Sequence, residues 1–196
     1  MRIALFICLF LAVPLLVMSQ DKNVQSESIS YVTSIGPDGW LEIQSNEGRF
    51  RVTAPGNMQA KVDSIDTEIG KMAYHTLFYK SDEEAADNLV YMLSYCDYPE
   101  YTMHSDSTEM VNEFFDATME SAQSSVRGEL IYSDAFYVDG FPGRFWRIDY
   151  LNGQAVIKTK ALLVGRRYYA LQTITRKTRS LNRSTDRYLD SFRLLE

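Results

Sequence analysis

The chain has 196 residues, of which 45% are hydrophobic and 23% are charged, and its formal net charge is −6. This length is enough for one domain with a sizeable core, and the negative charge argues against nucleic acid as a partner. The sequence contains no long linker, low-complexity block or internal repeat.

The first 19 residues have the pattern of a secretory signal peptide. Arg2 precedes an apolar run over residues 3–17, and small Ser19 precedes Gln20. Because this run is shorter than the ~20 residues that a membrane span needs, a retained anchor helix is the weaker alternative. We expect cleavage near Ser19, a secreted or periplasmic location and no transmembrane helix afterwards. Cleavage would leave Cys96 as the only cysteine, and we expect its side chain to be buried in a strand.

Residues 20–37 are predicted to form an N-terminal arm, flexible or partly ordered, ahead of a single domain over 38–196. Alternating apolar and polar residues predict five strands in the first half of that domain. These strands are residues 40–43, 49–53, 61–69, 71–79 and 88–97. The acidic run 81–87 lacks the spacing of a calcium loop, so we interpret it as a solvated loop.

Two helices are predicted. Asp106 stands three residues before Glu109 in the pattern of a capping box, and Gly128 would end the helix that follows. Apolar residues at helical spacing from Leu181 to Leu195 predict a C-terminal amphipathic helix or helical tail.

The strongest local signals lie between the helices. Residues 139–143 form a turn cluster rich in glycine, and a strand follows. Asn152-Gly153 predicts a type I′ hairpin, and Gly165-Arg166 predicts a type II′ hairpin. Pairing outward from these turns gives the register of three strands. The predicted pairs are Leu151 with Gln154, Tyr150 with Ala155, Ile148 with Ile157, Trp146 with Thr159, Leu163 with Tyr168 and Ala161 with Ala170.

That register divides the side chains between two faces. Trp146, Ile148 and Ile157 share one face, which we expect to be buried. The other face carries Leu162, Tyr169 and Leu171, which are too apolar to remain in water. Helices are the expected cover, which predicts a layered α+β domain.

The order of elements and several short motifs resemble the PsbP-like superfamily, named for an extrinsic subunit of photosystem II. The resemblance spans roughly residues 38–196. It implies an antiparallel β-sheet flanked by helices on both faces, an α/β/α sandwich. No metal-binding or partner-binding residue of that superfamily can be matched onto this chain. The motifs are Phe50-Arg51-Val52-Thr53-Ala54-Pro55-Gly56, Tyr91-Met92-Leu93-Ser94-Tyr95-Cys96-Asp97-Tyr98-Pro99, Asp139-Gly140-Phe141-Pro142-Gly143, Arg167-Tyr168-Tyr169-Ala170-Leu171 and Asp190-Ser191-Phe192-Arg193-Leu194.

The sequence offers few groups for catalysis. His75 and His104 are the only histidines, and the spacings of zinc sites, nucleophile elbows and phosphate loops are absent. His104 beside Ser105 and Asp106 is a candidate base, although local capping explains these residues equally well. We therefore predict no catalytic, metal-binding or cofactor-binding residues and no cofactor.

Charge is divided unequally along the chain. Residues 20–140 carry twenty-two acids and seven bases, whereas residues 141–196 carry four acids and twelve bases. The predicted register sets Arg147 opposite Lys158, with Lys160 on the same side, and like charges in such pairs destabilise a sheet. Either acidic segments, such as the helix from Asp106 to Glu120, cover these cations, or the cations form a surface for an anionic partner.

These patterns predict an exported, non-enzymatic binding or accessory module. Its partner would be an unknown protein or an anionic small ligand, and its candidate surface is Arg147, Lys158 and Lys160. The alternatives are a structural subunit of an envelope complex and an unrecognised hydrolase. A flat apolar patch would favour the subunit, and a pocket with converging polar groups would favour the hydrolase or a small-ligand binder. Asn182-Arg183-Ser184 is a glycosylation sequon where the host glycosylates exported proteins.

Overall fold

A computed structural model of the chain describes residues 29–67, 69–100 and 102–195. The predicted signal peptide and the first part of the arm lie outside these residues. The last part of the arm is ordered, because Ile29 is buried in a core and a strand follows it.

The smaller of two antiparallel sheets has four strands in the order β1-β2-β3-β11. Its strands are β1 (Val32–Ile35), β2 (Leu41–Ser45), β3 (Phe50–Ala54) and β11 (Arg193–Leu194). The C-terminal strand thus pairs with a strand near the start of the chain, which ties the two ends of the described domain together.

The larger sheet has seven strands in the order β4-β5-β6-β10-β9-β8-β7. Hairpins join neighbouring strands on both sides, and only the β6–β10 pairing lies between segments distant in sequence. The strands are β4 (Gln59–Thr67), β5 (Gly70–Lys80), β6 (Val90–Asp97), β7 (Glu129–Val138), β8 (Phe141–Tyr150), β9 (Ala155–Val164) and β10 (Arg167–Arg176).

The predicted registers of the central hairpins are confirmed. Trp146 pairs with Thr159, and Leu163 pairs with Tyr168. Asn152 and Gly153 have φ of 54° and 76°, as a type I′ turn requires, and Gly165 has φ of 59°. The predicted pair Leu151 with Gln154 is wrong: Leu151 also takes a positive φ, 52°, so the ladder closes one pair earlier, at Tyr150 with Ala155. These turns and the alternation of side chains together specify the register.

Helix α1 (Thr108–Val126) begins differently from the prediction. Its N-cap is Ser107, no side chain caps it, and the Asp106 carboxylate lies 3.2 Å from Nδ1 of His104. The capping box was therefore wrong, since the helix begins one residue too late for Asp106 to be its N-cap.

The end of α1 follows a Schellman pattern. Arg127 takes the left-handed conformation, with φ of 50°, and the amide of Gly128 donates to Gln123 O at 3.0 Å. A Cβ at Gly128 would lie 2.8 Å from Asp149 O. The glycine is thus required by the close approach to β8 and not by its own backbone angle.

The α1 face of the seven-stranded sheet carries Trp146, Ile148, Ala161, Leu163 and Tyr168. These residues form one core with the buried side chains of α1. Cys96 is buried in the same core, as predicted.

The opposite face is the α2 face, because helix α2 (Arg183–Asp190) packs there. Its cover is mixed: the four-stranded sheet contributes Ile43, Phe50 and Val52, and α2 contributes Tyr188 and Leu189. An α+β fold of antiparallel strands is confirmed, but the predicted α/β/α sandwich is met only in part. The sequence showed that this face must be covered, and it did not show that a second sheet would supply most of the cover.

The C-terminal helix is shorter than predicted. It ends at Asp190. Leu181, which precedes the helix, is exposed, and Phe192, which follows the helix, is buried in the core. A short 3₁₀ helix (Lys177–Arg179) connects β10 to this region.

Trp146 gives the first test of this fold. It is fully buried beside Ile148, and its indole Nε1 has no hydrogen-bond partner among the described residues. We expect Trp146→Ala to lower the free energy of unfolding by about 3–5 kcal/mol through lost contacts and a cavity. Trp146→Phe should cost less, because it removes the unsatisfied donor and keeps an aromatic ring. Urea denaturation measures both, and equal losses for the two variants would contradict this account.

Candidate functional site

The three predicted cations lie together on the α2 face. Trp146 and Ile148 point toward α1, so Arg147 between them points to the other side of β8. Arg147 pairs directly with Lys158 of β9, and Lys160 follows two residues along β9 on the same face. The structure thus brings together the side chains that the sequence selected.

Arg147 is neutralised within its own strand. Its Nε and Nη2 donate to the two carboxylate oxygens of Asp149 at 2.6 and 3.2 Å. Lys177 donates to the same carboxylate from the far end of β10. The side chains of Arg147 and Asp149 are only 13% and 8% exposed, so this pair is sheltered from water. Burial alone would raise the pKa of Asp149, but hydrogen bonds from Arg147 and Lys177 outweigh it and hold that pKa below its ordinary value.

Lys160 is also paired. Its amino group lies 2.7 Å from Oδ1 of Asp190 at the end of α2 and 5.5 Å from the ring centroid of Phe136. The carboxylate of Asp190 is largely exposed, so this ion pair is screened by solvent and contributes little stability.

Lys158 differs from its neighbours. Only 8% of the residue is exposed, and no carboxylate of the described chain lies within ion-pair distance of its amino group. Desolvation lowers the pKa of Lys158; nearby Asp186 opposes this effect, and Arg147 adds to it. The result is a buried lysine whose positive charge is only partly compensated.

Two acids identified by the structure, Asp149 and Asp190, provide most of the internal compensation. The predicted acidic helix does not, because α1 packs on the opposite face of the sheet. Sequence reasoning overlooked Asp149 although it stands two residues from Arg147 in a strand, which is the spacing that places both on one face. The arrangement leaves Lys158 as the one of the three predicted cations that has no ion pair within the described chain.

A cleft of about 620 Å³ lies elsewhere, between the loop before α1 and the β9–β10 hairpin. His104 lines it, but the His104 and Asp106 side chains are 56% and 85% exposed. Ser105 Oγ accepts a hydrogen bond from the Gly165 amide at 3.1 Å and so holds the hairpin. These contacts explain the His104 group as loop structure, and they do not assemble a nucleophile with a base.

His75 lies on the α2 face of β5 and stacks on Tyr95, with ring centroids 4.4 Å apart. Arg167 covers Tyr95 at 5.3 Å and is held by two hydrogen bonds to Asp97. The histidine therefore extends an aromatic stack. Among residues 29–67, 69–100 and 102–195, no group of three His, Cys, Asp or Glu side chains is placed to hold a metal ion, and no helix is long and apolar enough to cross a membrane.

A polar network missed by the sequence analysis joins β6, β10 and α2. Asn88 is buried, and its Oδ1 accepts hydrogen bonds from Thr175 and Thr185 at 2.5 and 2.8 Å. Asn182 caps α2 by accepting from the Thr185 amide at 2.7 Å, and its Nδ2 donates to Arg179 O at 2.8 Å. The amide nitrogen of the predicted sequon is therefore occupied in the folded chain.

Comparison with solved structures confirms that the chain has a PsbP-like fold. It is similar to cyanobacterial PsbP (CyanoP) from Synechocystis sp. PCC 6803, with a TM-score of 0.55 and 13% sequence identity. The similarity covers 82% of this chain and 97% of the other. No protein-family model and no curated protein matches the sequence. At this identity the similarity establishes the fold alone.

Asp149 makes stability depend on pH. Because its folded pKa lies below the ordinary value, the carboxylate stabilises the fold fully above about pH 4, and this contribution is lost as pH falls through the folded pKa. We expect Asp149→Asn to cost about 3 kcal/mol at pH 7, since it leaves the largely buried side chain of Arg147 without its ion-pair partner. Urea denaturation at pH 7 and pH 3 should show a smaller pH difference for this variant than for wild type. Asp134→Asn is the control, because Asp134 is an exposed acid on β7. It should change neither the stability at pH 7 nor the difference in stability between pH 7 and pH 3.

Asn182 gives a second stability test. Asn182→Ala removes the α2 cap and two hydrogen bonds with Asn88, so the free energy of unfolding should fall by about 1–2 kcal/mol. Asn57→Ala changes an exposed asparagine and should have little effect. Equal thermal denaturation curves for Asn182→Ala and wild type would show that the network does not hold α2.

Proposed function

We propose that this protein is an exported, non-enzymatic binding module, and that the surface of Arg147, Lys158 and Lys160 binds an anionic group of its partner. Export rests on the signal-peptide pattern of residues 1–19. The observation that carries the binding surface is Lys158: the residue is buried, and its charge lacks an ion pair within the described chain.

The surroundings of Lys158 determine what it accepts. Arg147 is engaged by Asp149 and adds positive charge beside Lys158, whereas the solvent-exposed Asp190 can release Lys160 at small cost. A carboxylate, sulfate or phosphate that reaches the α2 face of β9 would therefore contact Lys158 and Lys160 together. Phospholipid head groups, acidic glycans and acidic protein surfaces all present such groups.

A second candidate function, a structural subunit of an envelope complex, has its own observation. Phe78, Val90, Met92 and Ile174 are half-buried on the α1 face and belong to neither core cluster among the described residues. Register places these four side chains in adjacent positions on β5, β6 and β10. Binding through this apolar surface would be insensitive to salt, which separates it from binding through Lys158.

The test replaces one lysine at a time. Lys158→Gln should weaken retention on a polyanion resin and on anionic liposomes at low salt. Added salt should likewise weaken the retention of the wild-type protein. Lys80→Gln makes the same change in net charge on the α1 face and should leave retention unchanged. Arg147 is left intact, because its loss would remove the bidentate partner of the buried Asp149 carboxylate and so destabilise the fold.

Two results would contradict the proposal. One is a wild-type protein that does not bind either matrix at low salt. The other is an equal loss for Lys158→Gln and Lys80→Gln, which would reduce the effect to net charge. A melting temperature for Lys158→Gln near that of wild type confirms that the comparison is between folded proteins.

A further inference from the structure

The seven-stranded sheet ends at β7, and within the described part of the chain no strand other than β8 pairs with it. The outward-facing backbone of β7 has no partner there. Ile131 and Tyr137 on this strand are 45% and 72% exposed. Soluble proteins usually shield such an edge with charge, proline or a bulge, because it is a template for another strand.

The two edges of the sheet differ in this protection. β4 at the other edge carries Lys61, Asp63 and Asp66, and the first two form a 2.7 Å ion pair. From Ile131 to Val138, β7 carries one charged residue, Asp134. Its bulge lies between Leu130 and Tyr132, so residues 132–138 remain regular.

Hairpin geometry shows which groups of β7 face outward. The β7–β8 turn is Asp139-Gly140, with φ of 50° and 82°, and it is closed by the pair Val138 with Phe141. In a two-residue hairpin the closing pair is hydrogen-bonded, and inward and outward directions alternate from there. The amides and carbonyls of Ser133, Ala135 and Tyr137 therefore point away from β8.

An antiparallel pair of β7 strands has a two-fold axis perpendicular to the sheet, so opposed residues must share a face. An axis at Asp134 would set two carboxylates directly opposite and is disfavoured. An axis at Phe136 would pair only residues 134–138, and one at Ser133 would meet the bulge. An axis at Ala135 pairs all of residues 132–138.

We propose that β7 is a self-association edge, where two copies of the chain pair antiparallel about a two-fold axis at Ala135. Ser133 of one copy then lies opposite Tyr137 of the other, and Ala135 lies opposite itself. All outward amides and carbonyls of these three residues find partners in one register. Tyr137 gains a cross-strand neighbour, and the Asp134 carboxylates of the two copies do not lie opposite each other. This self-complementarity selects a second copy over a foreign strand.

Sedimentation equilibrium tests the association. The mass should rise toward twice the monomer value as protein concentration increases. Ala135→Pro removes an outward amide without breaking the β7–β8 ladder, so it should keep the fold and abolish the rise. Ser64→Pro is the matched control: Ser64 is exposed on β4, and its amide points outward when counted from the closing pair Thr67 with Gly70. It should leave association unchanged.

Cross-linking tests the register. With Ala135→Cys, the two Cα atoms across the axis would be about 5.5 Å apart, within disulfide range, so mild oxidation should trap a dimer. With Ser133→Cys, the equivalent atoms would lie roughly 14 Å apart, so trapping should fail.

Three outcomes would overturn the proposal. The first is a wild-type chain that stays monomeric up to about 1 mM, which would also be the result if a foreign strand occupies this edge. The second is equal loss of association in Ala135→Pro and Ser64→Pro. The third is trapping through Ser133→Cys as efficient as through Ala135→Cys.

Discussion

The antiparallel pairing of β8, β9 and β10 is the constraint on which the other features depend. Two short turns fix it, and a slip of one residue would exchange the faces of all three strands. In the observed register Trp146 packs against α1, Tyr169 packs against the small sheet, and Arg147 lies opposite Lys158. Both cores and the cationic surface are therefore consequences of one register.

The close pairing of like charges explains the side chains around it. Arg147 and Lys158 are opposed in neighbouring strands, an arrangement that destabilises a sheet unless acids lie near. Asp149 supplies one negative charge from the same strand and is shared by Lys177, whereas Asp190 supplies another from α2. Lys158 lies between these two ion pairs, and neither acid pairs with it. The lysine that the fold leaves without an ion pair is therefore the residue that we propose for anion binding.

Local signals predicted the hairpins, the buried face of Trp146 and the position of the three cations, because turn residues and strand alternation act over a few residues. The cover of Tyr169 and Leu171 depends on contacts between distant segments. The return of Arg193–Leu194 to β3 and the separation of β2 and β3 into their own sheet have no local signature. Asp149 could have been found by its spacing from Arg147. The Asn88 network could not, since its partners lie about ninety residues away.

The order β9-β8-β7 at the edge of the sheet has a consequence for avidity. In a pair joined at β7, the perpendicular two-fold axis keeps both α2 faces on the same side. The two Lys158 residues would then be separated by about five strand spacings across the sheet and by about six residues along the strands, roughly 30 Å in all. A polyanion or a lipid surface that spans this distance would engage both sites at once, so weak single contacts could combine into durable attachment. A small monovalent anion would gain nothing from the pairing.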